Sequence, residues 1–156
     1  MPVKPIPEGY HSVTPYLTVK GAARALEFYE KAFGAKVLFR MDDKDGRVGH
    51  AEIQLGDSRV MLSDEHPEMG VRSPHSVGGT PVSIHLYTDD VDATVARAVA
   101  AGAEVTRAVA DQFYGDRSGT LTDPFGHRWF VSTHTEDVPP DELERRAAAA
   151  AQQPSA

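Results

Sequence analysis

A chain of 156 residues, 40% hydrophobic and 25% charged, has the composition of one globular domain with room for a real core. Its formal net charge of −7 argues against broad nucleic-acid binding, which wants clustered Lys and Arg, and no apolar run nears the roughly 20 residues of a membrane span. The absence of cysteine excludes disulfides, thiolate metal sites and a cysteine nucleophile. The opening Met1-Pro2-Val3-Lys4-Pro5 also lacks the apolar core of a signal peptide, so a cytoplasmic protein is expected.

Residues 1–12 hold three prolines and a glycine and read as an extended lead-in. Thr14 to Val19 alternates and is rich in β-formers, which predicts a strand. A helix follows from Gly21 through Phe33, with Ala22, Ala25, Leu26, Tyr29 and Phe33 on one face and Gly34 as its stop. Strands are expected at Lys36–Met41, Arg47–Leu55 and Ser58–Ser63, separated by turns at 42–46 and Gly56-Asp57. Asp64 to Thr80 reads as a joining loop. The pattern then restarts with a strand at Pro81–Thr88 and a helix capped by Asp90 that runs to Ala101. Further strands fall at Glu104–Val109, Ser118–Thr122 and Arg128–His134. A terminal helix starts near Pro140, and the Ala147–Ala151 run offers only methyl groups to bury, so its end is expected to fray.

The two halves repeat. Gly34-Ala35-Lys36-Val37 returns as Gly102-Ala103-Glu104-Val105, and Val48-Gly49-His50 with Gly56 is echoed by Ser118-Gly119-Thr120 with Gly126, about 70 residues on. The expected fold is α+β: two βαβββ repeats, at about 13–64 and 81–134 of a single domain 13–138, forming a cup-shaped mixed sheet with helices outside. Residues 139–156 make the terminal helix and tail. A cup of this kind is a natural ligand site.

Three groups of residues carry a resemblance: Ala25-Leu26-Glu27-Phe28-Tyr29 before Phe33-Gly34, Asp89-Asp90-Val91-Asp92 before Ala101-Gly102-Ala103, and Asp123-Pro124-Phe125-Gly126-His127. From Thr14 to about Asp137 the chain resembles the vicinal-oxygen-chelate superfamily of glyoxalase, bleomycin-resistance proteins and dioxygenases. Tyr114-Gly115-Asp116-Arg117, Asp123 to Trp129 and the closing Thr133 to Val138 resemble its PhnB-like branch. The resemblance implies a divalent metal held from the first and last strands of each repeat, which orients a substrate through neighbouring oxygens. Those four positions fall here on Thr14, on Val60 (or Met61 with a bulge), on Ser83 and on Phe130. None is a good ligand, so the family's metal centre is expected to be absent. A homodimer is expected from the same resemblance.

Period-two alternation puts His50, Glu52 and Gln54 on one strand face, and Ser83, His85 and Tyr87 on another. With the apolar faces under the helices, the expected cup walls are Tyr16, His50, Glu52, His85, Tyr87 and Phe130. Arg117 at the mouth could hold a ligand carboxylate or phosphate, or pair with Asp116 or Asp111. His127 is expected as a turn residue, Trp129 as core, His134 at the rim, and His66 and His75 as solvated loop residues. Two readings follow. In the first, a small-molecule-binding protein has no cofactor. In the second, a metal-dependent lyase, isomerase or dioxygenase uses His50, Glu52 and His85 as a non-standard site.

Overall fold

The computed structural model describes residues 2–153. The first repeat comprises β1 (Tyr16–Val19), α1 (Ala22–Phe33), β2 (Lys36–Asp42), β3 (Val48–Leu55) and β4 (Ser58–Asp64). A linker follows, carrying a single 3₁₀ turn at Pro67–Met69 and the one-turn helix α2 (Pro74–Val77). The second repeat is β5 (Ser83–Tyr87), α3 (Val91–Ala100), β6 (Glu104–Asp111), β7 (Asp116–Thr122) and β8 (Arg128–His134), and α4 (Pro140–Ala151) closes the chain. The expected joining loop is therefore partly ordered: His66 and Val71 form a bridge, and the Ser73 amide donates to Glu65 at 2.7 Å. The Ala147–Ala151 run is helical throughout, so the expected fraying does not occur there; the last three residues of the expected tail lie outside the described residues.

Each repeat builds its own four-stranded sheet, ordered β1-β4-β3-β2 and β5-β8-β7-β6. The β1–β4 and β5–β8 pairs are parallel and the other pairings antiparallel. A parallel pair needs a crossover, and the intervening helix and hairpin supply it. Among the described residues the sheets share no strand pairing; they are joined through α1 and α3 and the residues beneath them.

Helix α1 buries Ala22, Ala25, Leu26, Phe28, Tyr29 and Ala32. Phe28 widens the expected stripe because α1 also packs on the second repeat, where Phe28 meets Phe125 edge to face at 6.1 Å. Tyr29 and Phe33 lie against Trp129, with ring centroids 5.5 and 4.7 Å away. Trp129 is fully buried, as its place on β8 implied. The Asp123 carboxylate is buried among these rings. It accepts from Tyr29 Oη at 2.7 Å and Trp129 Nε1 at 2.8 Å, while its other oxygen takes the Phe125 and His127 amides. A buried carboxylate is tolerable when its lone pairs are filled in this way. The burial and this carboxylate together keep the Tyr29 hydroxyl well above its usual pKa.

The strand helix-sides are apolar (Ala51, Ile53, Val60, Leu62, Leu121, Trp129, Val131), which leaves the opposite faces polar and open. Those faces carry the candidate site.

Candidate functional site

Register decides which side chains share a face. In the first sheet Tyr16 lies opposite Met61, and Met61 opposite Glu52. In the second, His85 lies opposite Phe130, and Phe130 opposite Thr120. Tyr16 with Met61 thus corresponds to His85 with Phe130. Val60, the first choice for a family ligand position, is only 3% exposed beneath the helix, and Met61 takes the open face instead. A buried valine and a thioether offer no donor for a hard cation.

On the first face, Tyr16 Oη and His50 Nδ1 are 2.8 Å apart, and His50 Nε2 lies 3.1 Å from Glu52 Oε2. The Phe39 ring flanks His50. On the second, His85 stacks nearly parallel on Tyr87, with centroids 4.6 Å apart at 12°, and Phe130 stands beside it at 5.8 Å. His85 Nε2 reaches Ser132 Oγ at 2.8 Å, and Ser132 donates to Ser118 at 2.9 Å. His85 Nδ1 has no hydrogen-bond partner among the described residues.

The six expected cup walls thus all lie on the open faces but form two separate sets. Tyr16, His50 and Glu52 are joined in one repeat, and His85, Tyr87 and Phe130 in the other. Among the described residues no hydrogen bond or ring contact links the two sets, and no three His, Asp or Glu side chains gather closely enough to hold a metal ion. The non-standard site of His50, Glu52 and His85 is thus not assembled within the chain. At the positions implied by the resemblance, Ser83 is engaged by Arg128 Nε at 2.9 Å and Phe130 offers only a ring. These residues do not fit the superfamily's divalent metal.

Arg117 is displaced from its expected place. Strand β7 begins at Asp116, so Arg117 is a strand residue rather than part of a mouth loop. Alternation turns it toward α3, where Nε and Nη2 fork onto Asp92 at 2.7 and 3.0 Å and Nη1 meets Asp111 at 3.2 Å. The guanidinium is spent on fixing α3 against its sheet and does not face the cup. These partners, Asp92 foremost, raise its pKa beyond the usual arginine range.

Asp116 points the other way and anchors a network that the sequence did not reveal. Although only 5% exposed, it accepts from Tyr87 Oη at 2.8 Å and pairs with His134 Nδ1 at 2.7 Å. His134 Nε2 reaches Asp137 at 2.7 Å. Burial pushes the Asp116 carboxyl up, but the bonds from His134 and Tyr87 outweigh it and hold the pKa below the usual value. Hydrogen bonding to Asp116 and then Asp137 raises His134, and Asp116 raises Tyr87. The residues come from β5, β7, β8 and the segment after β8, too far apart in sequence for any spacing rule.

His66, expected in solvent, proves structural, and His127 is the structural turn residue expected. His66 is bonded through both nitrogens, to the Asp64 carbonyl at 3.0 Å and Asp43 Oδ2 at 2.8 Å, with its side chain 14% exposed. His127 Nε2 donates to the Thr18 carbonyl at 2.9 Å, clasping the open edge of β1 to the second repeat. His75 is exposed as expected, though its Nε2 donates to the Pro124 carbonyl.

A model of the glyoxalase/bleomycin resistance protein/dioxygenase superfamily matches residues 9–131. An uncharacterized protein of Mycobacterium tuberculosis (strain H37Rv) is 46% identical over 136 residues, covering 85% of this chain and 80% of that protein. A gene product of Arabidopsis thaliana of known structure aligns with TM-score 0.64 and 29% identity over 79% of this chain and 98% of its own. The PhnB protein of Bacillus cereus shares the fold at TM-score 0.59 and 16% identity, over 79% of this chain and 99% of its own. The chain belongs to the glyoxalase/bleomycin resistance protein/dioxygenase superfamily.

Proposed function

We propose that this superfamily member binds a small planar or apolar molecule against the open face of its second sheet, without a metal. The supporting observation is the parallel stack of His85 on Tyr87 beside Phe130. Such a platform offers ring surface to a flat ligand, and the unpaired His85 Nδ1 offers it one hydrogen bond. The Ser132–Ser118 relay and the Asp116 anchor hold both rings in place, so little ordering is required on binding.

We further infer a homodimer in the cytoplasm. Phe39 on β2 and Tyr87 on the open face of the second sheet are each about half exposed, and a second chain laid across them would complete a cup. Among the described residues no helix is long and apolar enough to cross a membrane. Light scattering after size exclusion tests the assembly, and a monomer at micromolar concentration would refute it.

The direct test pairs a dye with a metal assay. Titration with 8-anilinonaphthalene-1-sulfonate should give saturable fluorescence that Phe130→Ala weakens about tenfold, the cost of losing one aromatic wall. Protein dialysed against trace-metal-free buffer and resupplied with Zn, Mn, Ni or Fe should retain well under one ion per chain. About one ion per chain, lost in His85→Ala, would overturn the proposal in favour of a metal-dependent enzyme.

A further inference from the structure

A cavity of about 580 Å³ opens on the first sheet beneath the linker. Tyr16, Met41, Met69 and Val71 give it apolar walls, and Asp43 and His66 form its polar corner. That corner is built with some precision. His66 is held by the Asp64 carbonyl and meets only Oδ2 of Asp43. The Asp43 carboxylate folds over β3 at Gly49, where a Cβ would collide with it and would sit 3.0 Å from its Cγ. Gly49 has no need of a left-handed backbone, since its φ is not positive. What requires glycine there is the room for Asp43. The second repeat's strand glycine, Gly119, sits opposite Val131 as Ala51 sits opposite Leu62, so it is no counterpart of Gly49, and the side chain crowding it is Val109.

Asp43 Oδ1 has no hydrogen-bond donor among the described residues, although the rest of the carboxylate is fixed. It lies at the edge of an apolar cavity with an aromatic wall. Two methionines in those walls can adjust to the shape of a guest. We propose that this cavity takes an apolar molecule bearing a protonated amine, whose ammonium donates to Asp43 Oδ1 while its body lies among Met41, Met69, Val71 and the Tyr16 ring. The charge is complementary on three scales. The carboxylate supplies a charge-assisted hydrogen bond. The Tyr16 ring face can meet a cation. The net charge of −7 favours approach of a cation over an anion. The site shares no residue with the His85–Tyr87–Phe130 platform, so either can fail without the other.

The test compares 2-phenylethylamine with 2-phenylethanol, two probes of nearly equal shape that differ in charge. Binding is followed by ¹H–¹⁵N correlation spectra of the full chain at pH 7. The amine is expected to bind about tenfold more tightly than the alcohol and to shift the Gly49 and Val71 amides. Asp43→Asn, which keeps an oxygen for His66, should bring the amine down to the affinity of the alcohol. Equal affinities in the unaltered protein, shifts confined to other residues, or a preference for the amine that survives Asp43→Asn would each overturn the proposal. The first two criteria need no variant, so a poorly folding mutant cannot shelter it.

Discussion

The two repeats share one topology but solve its problems with different residues. In the first, α1 carries the bulk: Phe28, Tyr29 and Phe33 project from the helix, and the strand position beneath is the modest Val60. In the second, α3 offers Val91, Thr94, Val95 and Ala98, and the strand supplies Trp129 at the place of Val60. The two repeats meet at these bulky residues, since the Tyr29 and Phe33 rings of α1 lie against Trp129 of β8. The start of each helix follows the same logic. Gly21 has no side chain to cap α1, and Asp64 on β4 reaches across to accept the Gly21, Ala22 and Val48 amides at 2.8–2.9 Å. At α3, Asp90 caps locally through Ala93 N, and Thr133, the counterpart of Asp64, takes the Val91 amide. Two strands and a helix thus depend on one remote carboxylate in the first repeat, whereas the second divides the task.

The repeats should differ most at the matched positions Trp129 and Val60. Trp129→Ala should destabilise the protein by about 3–5 kcal/mol, because it empties the space shared with Tyr29 and Phe33 and leaves Asp123 short of a donor. Val60→Ala at the matching place should cost only about 1–2 kcal/mol. Urea unfolding followed by far-ultraviolet dichroism reads both, and equal costs would mean that Trp129 is not the centre of the ring cluster joining the repeats.

Next come the caps. Asp64→Ala strands three backbone donors and should cost about 2–3 kcal/mol, against about 1 kcal/mol for Asp90→Ala. If the order were reversed in the same unfolding series, the cross-strand cap would not be what holds α1.

The smallest effect sharpens the difference between the open faces. The folded pKa of His134 lies above its usual 6.5, so the stability it adds is complete below about pH 6.5 and fades as pH rises through the raised value. Asp116 lies below its usual 3.8, so its share is complete above about pH 4 and fades as pH falls through the lowered value. Between those limits the Tyr87–Asp116–His134 network contributes most. The stability difference between the unaltered protein and His134→Gln should therefore be largest near pH 5 and shrink toward both ends of the titration. A difference independent of pH would show that the pair is not ionic. In the first repeat the Tyr16–His50–Glu52 set is joined through the histidine rather than through a buried carboxylate.

Much of the architecture was legible because it rests on local rules. The 3.6-residue stripe of α1, Gly34 closing it, Asp90 capping α3 and the alternation along β3 each depend on neighbours within a turn or a pleat. Alternation also placed His50, Glu52, His85 and Phe130 on the open faces. It failed where a boundary had to be known first. A strand expected only from Ser118 left Arg117 at the mouth, when a strand starting at Asp116 turns it to the helix side and sends Asp116 to the cup. Between Val60 and Met61, a one-residue choice separated the buried face from the open one.

The sequence by itself determined the βαβββ repeat, the helix faces and the superfamily, since periodicity, caps and turn glycines act over a few residues. Tertiary structure alone decided which polar groups meet: Tyr29 with Asp123, Tyr87 with Asp116 and His134, Asp43 with His66 over Gly49. It also decided that the six cup-wall residues divide into two separate sets. Each of these depends on strand register and on how the two sheets are set about their helices. Those are properties of the packed whole, in which a hydrogen bond of under 3 Å can join residues 94 positions apart.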